Sequence, residues 1–343
     1  MSTIPPPRAA PPVLPKRDGP PKIVTKLDLA SLPPGTRHHL HLQLFRDPAG
    51  QPLRVPVLVV RGIDPGPVLG VTAAIHGNEL NGIPAVHRFV HGLDPKRLRG
   101  TVVAISVVNI PGFLLRRRGF SDARDLNRLF PGKDGGTDSQ LWIGKLREQF
   151  LTRVDFLVDL HTAGPGRTNP VYARINLDEP LTVELGVAAK PDLLLHKPPN
   201  PKTLRGAAQA AGVPCVTLEL GAPQVLQPEI VERATKGLRR IARHLEMLPR
   251  PLVLRSRPPL CRESSWLYTE HGGLLEVFPE LLERVREGEP IGRIVNLFGE
   301  IVGEYHAPHK GIVIGKTIDP VAPIGTRIIH LGRLANWEDV ESS

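Results

Sequence analysis

Residues 68–80 read VLGVTAAIHGNEL, an unbroken apolar run that is followed at once by a polar cluster. The run at residues 68–75 has the composition of a β-strand that is covered on both faces. Residues 80–93 then repeat apolar side chains at helical spacing. Because His76 and Glu79 fall where the strand gives way to the helix, the segment predicts an α/β fold with polar groups at the carboxyl edge of its sheet.

The same alternation of apolar runs and helical patterns extends to both sides of this segment. Two strand-like stretches precede it, at residues 39–45 and 55–61. Further strand-like runs follow at residues 101–109, 154–161, 171–175, 192–196 and 213–220. Helical patterns occur at residues 139–152, 203–211 and 228–245. We therefore predict a largely parallel or mixed sheet covered by helices, built from residues 23–250.

The two ends of the chain differ from this central part. Residues 1–22 contain eight prolines and few large apolar side chains, so we expect a disordered leader that cannot bury enough surface to fold. Residues 260–335 consist of short strand-like stretches separated by turns, which predicts an all-β domain. A length of 343 residues is compatible with about two folded domains.

Composition and charge exclude several classes of protein. The net charge of +10 comes from basic residues scattered along the chain, and aromatic residues make up only 4% of it, which argues against a specific nucleic-acid partner. Cys215 and Cys261 are too few for a disulfide framework or a thiolate metal cluster. No apolar stretch has the length of a membrane span or a signal peptide, so we expect a cytoplasmic protein without a membrane partner.

Two polar clusters have the composition of a metal site. His76 and Glu79 are three residues apart at a bend, and His161 ends another apolar run. Two imidazoles and one carboxylate leave a coordination position open for water, which is typical of hydrolytic zinc sites. Asp159 is two residues before His161 and shares its strand face, where it can orient the imidazole.

Two further segments carry charged groups suited to catalysis. Glu219 lies in the apolar run at residues 213–220, so its carboxylate faces a polar cavity or has a partner. Near a zinc-bound water, such a carboxylate can act as a general base. The loop at residues 116–132 is rich in arginine, whose guanidinium groups bind carboxylates and stabilise developing oxyanions.

Taken in order, five motifs resemble those of a known family: HGNE, NIPGF, DLNRLFPG, DLHT and LELG. They are similar to the succinylglutamate desuccinylase and aspartoacylase family, which belongs to the zinc carboxypeptidase superfamily. The resemblance covers residues 54–333. It implies a zinc-carboxypeptidase-like mixed sheet flanked by helices, followed by a lipoyl- or biotinyl-like β-sandwich at the C-terminus.

Matching by position implies a role for each candidate residue. The resemblance assigns four residues to the metal and its water: the ligands His76, Glu79 and His161 of one Zn²⁺ per chain, and the general base Glu219. It assigns Arg118 to the scissile carbonyl, with Arg116 and Arg117 as alternatives. Asn127 and Arg128 match the pair that binds the substrate carboxylate.

The implied activity is hydrolysis of the amide bond in a small N-acyl amino acid or related N-acylated amine that carries a carboxylate. The products are a carboxylic acid and a free amine. Two alternatives stay open: a metallocarboxypeptidase acting on short peptides, and a catalytically silent binding protein of the same fold. A homo-oligomeric state is also compatible with the sequence.

Overall fold

A computed structural model of the chain describes residues 20–47, 49–254 and 256–338. Residues 1–19 of the predicted leader lie outside this part of the chain. Lys22, the last residue of that predicted leader, is the first residue of a strand.

The N-terminal half contains the strands and helices that surround the segment quoted first. In chain order they are β1 (Lys22–Val24), β2 (Thr36–Arg46), β3 (Pro52–Arg61), β4 (Asp64–Ala73), α1 (Gly82–His91), β5 (Arg99–Ile105), α2 (Ile110–Leu114), α3 (Asp138–Gln149) and β6 (Phe156–His161). The strand and helix predicted around His76 are therefore both present.

The next part continues the alternation with β7 (Arg167–Thr168), β8 (Val171–Ile175), α4 (Pro180–Ala189), β9 (Leu193–His196), α5 (Leu204–Ala210), β10 (Cys215–Leu220) and α6 (Pro228–His244). Eight strands follow: β11 (Leu260–Tyr268), β12 (Gly273–Val277), β13 (Arg284–Val285), β14 (Pro290–Val295), β15 (Ile301–His306), β16 (Gly311–Thr317), β17 (Val321–Ala322) and β18 (Arg327–Ala335). Among the described residues, no helix has both the length and the apolar character needed to cross a membrane.

One large mixed sheet organises the molecule. Its strand order is β1-β2-β3-β5-β4-β6-β10-β8-β9-β11-β18-β16-β13. The central strands β5, β4, β6 and β10 run parallel to one another, whereas β8 is antiparallel to β10. The predicted mixed α/β fold with flanking helices is confirmed.

Helices cover the large sheet on both faces, as the continuous apolar strands predict. Side chains of α1, α4 and α6 pack in one buried cluster with Leu69, Val71 and Val158. Side chains of α3 and α5 pack in a second cluster with Val103 and Leu157. Adjacent residues of one strand therefore pack in different clusters on opposite faces of the sheet. The ends of the strands are the places left for polar side chains that face a cavity.

Helix α4 is an element that the sequence analysis did not predict. Its buried residues include the consecutive Leu185, Gly186, Val187, Ala188 and Ala189. A helix enclosed on most sides has no polar face, so the spacing of its apolar residues lacks the helical period.

The C-terminal strands fall into two sheets. Strands β11, β18, β16 and β13 extend the large sheet, because Leu260 and Cys261 of β11 pair with Leu194 and Leu195 of β9. Strands β15, β14, β12 and β17 form a separate antiparallel sheet. Apolar side chains such as Leu275 and Ile329 pack between these strands in a third buried cluster.

Candidate active site

Three neighbouring strands bring the predicted site residues together at one edge of the large sheet. His76 follows β4, His161 is the last residue of β6, and Glu219 is the penultimate residue of β10. Glu219 is the Cα partner of His161 in the parallel pairing of β10 with β6. Because these strands are parallel, their carboxyl ends meet at the same edge.

His76, Glu79 and His161 form one buried group whose donor atoms face each other. Nδ1 of His76 lies 2.8 Å from Oε1 of Glu79, and Nδ1 of His161 lies 3.0 Å from Oε2 of Glu79. The candidate ligand atoms of all three residues lie within 4.8 Å of one another. The short contact of the buried Nδ1 of His76 with Glu79 lacks hydrogen-bond geometry, so this nitrogen has no hydrogen-bond partner. This group can hold a metal ion.

The outer nitrogen of each imidazole contacts a carboxylate. Nε2 of His76 lies 3.0 Å from Oδ1 of Asp125, and Nε2 of His161 lies 2.7 Å from Oδ2 of Asp159. Thr72 donates a hydrogen bond of 2.7 Å to the other oxygen of Asp159. These contacts fix both rings so that each Nδ1 points towards Glu79. Carboxylates that hydrogen-bond the outer nitrogen of metal-binding histidines orient the rings in the same way.

The charges of this group also suit a divalent cation. Burial raises the pKa of Glu79, but the charges of His76 and His161 outweigh burial and hold the pKa well below its ordinary value. For His161, burial lowers the pKa, yet Asp159 and Glu79 raise it well above the ordinary value. The carboxylates of this group therefore favour positive charge beside them, which a bound cation would supply.

Of the three arginines that the sequence left as alternatives, Arg118 lies at the site. Its Nη1 donates a hydrogen bond of 2.9 Å to Oε1 of Glu79, and its Nη2 donates one of 3.0 Å to Oδ2 of Asp125. Arg117 instead donates to the backbone carbonyls of its own loop. Arg118 lines the cavity, whereas Arg116 and Arg117 do not.

Glu219 faces the cavity and also has partners. Its Oε1 lies 2.7 Å from Nη2 of Arg174, and its Oε2 accepts a hydrogen bond of 3.2 Å from Asn169. Arg174 also donates a hydrogen bond of 2.9 Å to the hydroxyl of Tyr172. Burial lowers the pKa of Arg174, but the negative charge of Glu219 outweighs burial and raises it.

Asn127 and Arg128 lie in a short 3-10 turn on another wall of the cavity. Oδ1 of Asp125 accepts the backbone N–H of Asn127 at 2.9 Å and thereby starts this turn. Oδ1 of Asn127 accepts the N–H of Leu204 at 2.8 Å, which connects the turn to α5. The guanidinium of Arg128 is exposed and donates to the carbonyl of Asn127 at 2.7 Å.

The cavity has a volume of about 480 Å³ and contains several residues that were not predicted from the sequence. They include Asn169, Arg174, Trp266 and Arg327. Asp125, which contacts Nε2 of His76, was not singled out either. Asp125 had a visible signal, since it begins the DLNR motif. No local sequence pattern indicated the other four residues. Trp266 and Arg327, for example, come from the C-terminal strands and reach the site through the pairing of β11 with β9.

Known proteins resemble this chain over most of its length. The N-alpha-acetyl-L-2,4-diaminobutyric acid deacetylase of Halomonas elongata is 25% identical over 290 residues, which are 80% of this chain and 84% of that protein. The product-bound ectoine utilization protein EutE (DoeB) of Ruegeria pomeroyi superposes with a TM-score of 0.79 at 23% identity, over 88% of this chain and 97% of that one. A succinylglutamate desuccinylase/aspartoacylase of Rhodobacter sphaeroides gives a TM-score of 0.79 at 22% identity, over 88% and 96%. The two solved structures have the fold of this chain.

The family of this chain follows from the match of residues 65–245 to a known catalytic domain. Residues 65–245, more than half of the 343 residues, match the succinylglutamate desuccinylase/aspartoacylase catalytic domain. The matched range contains His76, Glu79, His161 and Glu219. The resemblance predicted from the five motifs is therefore confirmed: the chain belongs to the succinylglutamate desuccinylase/aspartoacylase family.

Proposed function

We propose that this chain is a zinc-dependent amidohydrolase. It hydrolyses the amide bond of a small N-acyl amino acid, or a related N-acylated amine with a carboxylate, and releases a carboxylic acid and a free amine. The observation that carries the proposal is the convergence of His76, Glu79 and His161, with donor atoms within 4.8 Å, in the cavity that also contains Glu219. The deacetylase of Halomonas elongata, a relative at 25% identity, supports the same class of reaction.

His76, Glu79 and His161 would hold the zinc ion. Two imidazole nitrogens and one carboxylate match the donor set of hydrolytic zinc sites. When bound, zinc supplies a Lewis acid and lowers the pKa of a water molecule to about 7. Asp125 and Asp159 keep the two imidazoles in the orientation that this role requires, because they hold the outer nitrogens.

Glu219 is the proposed general base. Its carboxylate takes a proton from the attacking water and later delivers it to the leaving amine. The hydrogen bond from Asn169 and the ion pair with Arg174 hold the carboxylate in one orientation. A positioned base of this kind contributes about 100- to 10,000-fold to the rate.

Arg118 and the pair Asn127 and Arg128 are proposed to bind the two ends of the substrate. Arg118 lies beside Glu79 and can stabilise the oxyanion that forms at the scissile carbonyl. The guanidinium of Arg128 is exposed in the cavity wall, where it can bind a carboxylate in a fork with help from Asn127.

The predicted domain division remains part of the proposal. Residues 23–250 form the catalytic domain, and residues 260–335 form an accessory β-sandwich of lipoyl- or biotinyl-like type. The separate antiparallel sheet and the apolar cluster between the C-terminal strands support the second unit. Trp266 and Arg327 from this unit line the cavity, which favours compact substrates over peptides. The volume of about 480 Å³ is also in the range of small-molecule sites.

The proposal is tested by metal analysis of the purified chain and by turnover of a panel of N-acyl amino acids. We expect one zinc per chain, and hydrolysis that stops when a chelator removes the metal. Glu219→Gln should keep zinc but lower kcat by at least about 100-fold, whereas Arg128→Ala should mainly raise KM. Glu232→Gln changes an exposed glutamate of α6 and serves as the control. Zinc binding without turnover of any acyl amide would favour the silent binding protein, and turnover of peptides alone would favour the carboxypeptidase.

A further inference from the structure

The loop that follows β10 lies next to the proposed general base. This connecting loop, residues 221–227, joins β10 to α6 and begins two residues after Glu219. The carbonyl of Gly221 accepts the N–H of Ala163 at 2.9 Å, and Ala163 is two residues after His161. The connecting loop is therefore attached to the strand end that carries one proposed metal ligand as well as to the strand end that carries the base.

The connecting loop is also attached to two further segments of the site. The N–H of Gln224 donates a hydrogen bond of 2.8 Å to the carbonyl of Asn78, the residue before Glu79. The side-chain amide of Gln224 donates one of 3.2 Å to the carbonyl of Arg116, two residues before Arg118. Because the metal ligands, the base and the cavity-facing guanidinium come from separate segments, a loop that contacts all of these segments can set their relative positions.

A pair of side-chain amides, those of Asn81 and Gln227, fixes the connecting loop. Nδ2 of Asn81 donates hydrogen bonds of 2.9 Å to the carbonyl of Leu220 and 3.0 Å to Oε1 of Gln227. Oδ1 of Asn81 accepts the N–H of Gln227 at 2.8 Å, and Oε1 of Gln227 accepts the N–H of Ala222 at 2.8 Å. Asn81 is fully buried, so its bonds form away from water, where each is stronger and costly to break.

Asn81 occupies a position where its side chain would ordinarily serve its own helix. It is the N-cap of α1, where an asparagine side chain commonly accepts an N–H of the first helical turn. The Asn81 side chain makes no such bond and contacts the connecting loop instead. Gln227 in turn is the N-cap of α6, whose side chains pack with those of α1 in one buried cluster. The pair therefore connects the turn of Glu79 to the strand end of Glu219 through two helices that are anchored in the core.

Gly221 leaves the space that this arrangement needs. Its φ of +72° lies in the left-handed region that favours glycine. A Cβ at this position would also overlap Oε1 of Gln227. The glycine that ends the LELG motif is thus required both by its own backbone and by the amide of Gln227.

We propose that Asn81 and Gln227 are positioning residues, which hold the carboxylate of Glu219 in place relative to the three proposed metal ligands. This inference rests on the proposed deacylase function for its effect on turnover, but not for the placement of the side chains. A catalytic group must be held within about 0.5 Å of its productive position, and a displacement of about 1 Å can lower a rate about 100-fold. Loss of the amide pair should therefore lower turnover without removing the metal or weakening substrate binding.

Crystal structures of the zinc-loaded full-length chain test the placement without requiring turnover. Gln227→Met keeps the length of the side chain but removes the oxygen that accepts from Asn81 and Ala222. Relative to the metal ligands, we expect the Glu219 carboxylate of this variant to move by at least about 0.5 Å from its position in the wild type. An unmoved carboxylate would overturn the inference, even if the wild type hydrolyses N-acyl amino acids. A moved carboxylate in a chain that hydrolyses no amide would support the placement and contradict only the proposed function.

Steady-state kinetics separates a positioning role from a purely structural one. Gln227→Met should lower kcat by about 10- to 100-fold, while KM and the zinc content change by less than about twofold. Gln227→Glu retains an acceptor oxygen and should recover most of the lost kcat. Asn81→Asp, whose carboxylate cannot donate to Leu220, should act like Gln227→Met and serves if the Met variant does not fold. Gln209→Met, at an exposed position of α5, is the matched control. A wild-type kcat in Gln227→Met, or a loss that Gln227→Glu does not recover, would overturn the assignment.

Discussion

Nη2 of Arg174 lies 2.7 Å from Oε1 of Glu219, on strands β8 and β10, which are neighbours in the large sheet. Only 6% of the Glu219 side chain is exposed, whereas 35% of the Arg174 side chain is exposed. The carboxylate proposed as the general base therefore has its counter-charge built into the adjacent strand. Arg174 thus belongs to the site, although it contacts neither imidazole.

We predict that Arg174→Met destabilises the fold by about 1–3 kcal/mol, because it leaves the Glu219 carboxylate enclosed without its cation. Adding Glu219→Gln to this variant should restore most of the loss, and denaturant unfolding of both single variants and the double variant measures the coupling. The exposed pair of Lys236 and Glu232 offers a matched cycle, for which we expect at most about 0.5 kcal/mol. A coupling no larger than in the control pair would contradict the assigned ion pair.

The second prediction concerns the three consecutive arginines at residues 116–118. Arg118→Ala should lower kcat by about 100- to 1000-fold, because Arg118 is the guanidinium that faces the cavity beside Glu79. Arg116→Ala should change kcat by less than about twofold, since Arg116 is exposed outside the cavity. Steady-state kinetics on one N-acyl amino acid distinguishes the two variants. Equal losses in both would mean that the whole loop, and not one guanidinium, sets the rate.

Much of the fold could be predicted because its signals are local. The apolar run at residues 171–175 coincides with β8, and the helical pattern at residues 228–245 coincides with α6 to within one residue. The positions of His76 and His161 could also be predicted to converge, because each follows a buried strand and such strands end at a common edge.

Other parts of the site depend on contacts that leave no local pattern. Arg174 meets Glu219 only because β8 lies antiparallel to β10, which the spacing of either strand does not indicate. Trp266 reaches the cavity because β11 continues the large sheet beside β9, and only two residue pairs make that junction. The sequence predicted β-strands after residue 260 but could not predict which sheet each would join.

The third prediction concerns the role of Asp125, which was not singled out from the sequence, in orienting His76. Asp125→Asn should weaken zinc binding by about 10- to 100-fold, because Nε2 of His76 loses a charged partner that orients the ring. Competition with a chromophoric chelator measures the affinity. Asp134→Asn changes an exposed carboxylate of the same region and should leave the affinity unchanged. Unaltered zinc binding in Asp125→Asn would show that the rings are oriented by other contacts.

His330, in β18, packs against Trp266, a residue of the cavity wall. Its ring stacks on Trp266 with centres 4.7 Å apart, and its Nε2 lies 2.9 Å from Oγ of Ser264. Only 7% of the residue is exposed. Burial, together with the nearby charges of Arg174 and Lys197, lowers the pKa of His330 from 6.5 to about 3. The folded chain therefore holds this imidazole in its neutral form.

This lowered pKa gives stability a defined dependence on pH. Below pH 6.5 the unfolded chain binds a proton at His330 that the folded chain does not bind until the pH approaches about 3. The contribution of the neutral His330 imidazole to the free energy of unfolding is thus fully present above pH 6.5. It is lost as the pH falls, by about 1 kcal/mol per pH unit. His330→Phe keeps the aromatic stack and removes the titration, so its unfolding free energy should fall less steeply than that of the wild type between about pH 6 and about pH 4. Denaturant unfolding with chelator present, with the exposed His306→Phe as control, measures this difference, and parallel slopes for wild type and His330→Phe would refute it.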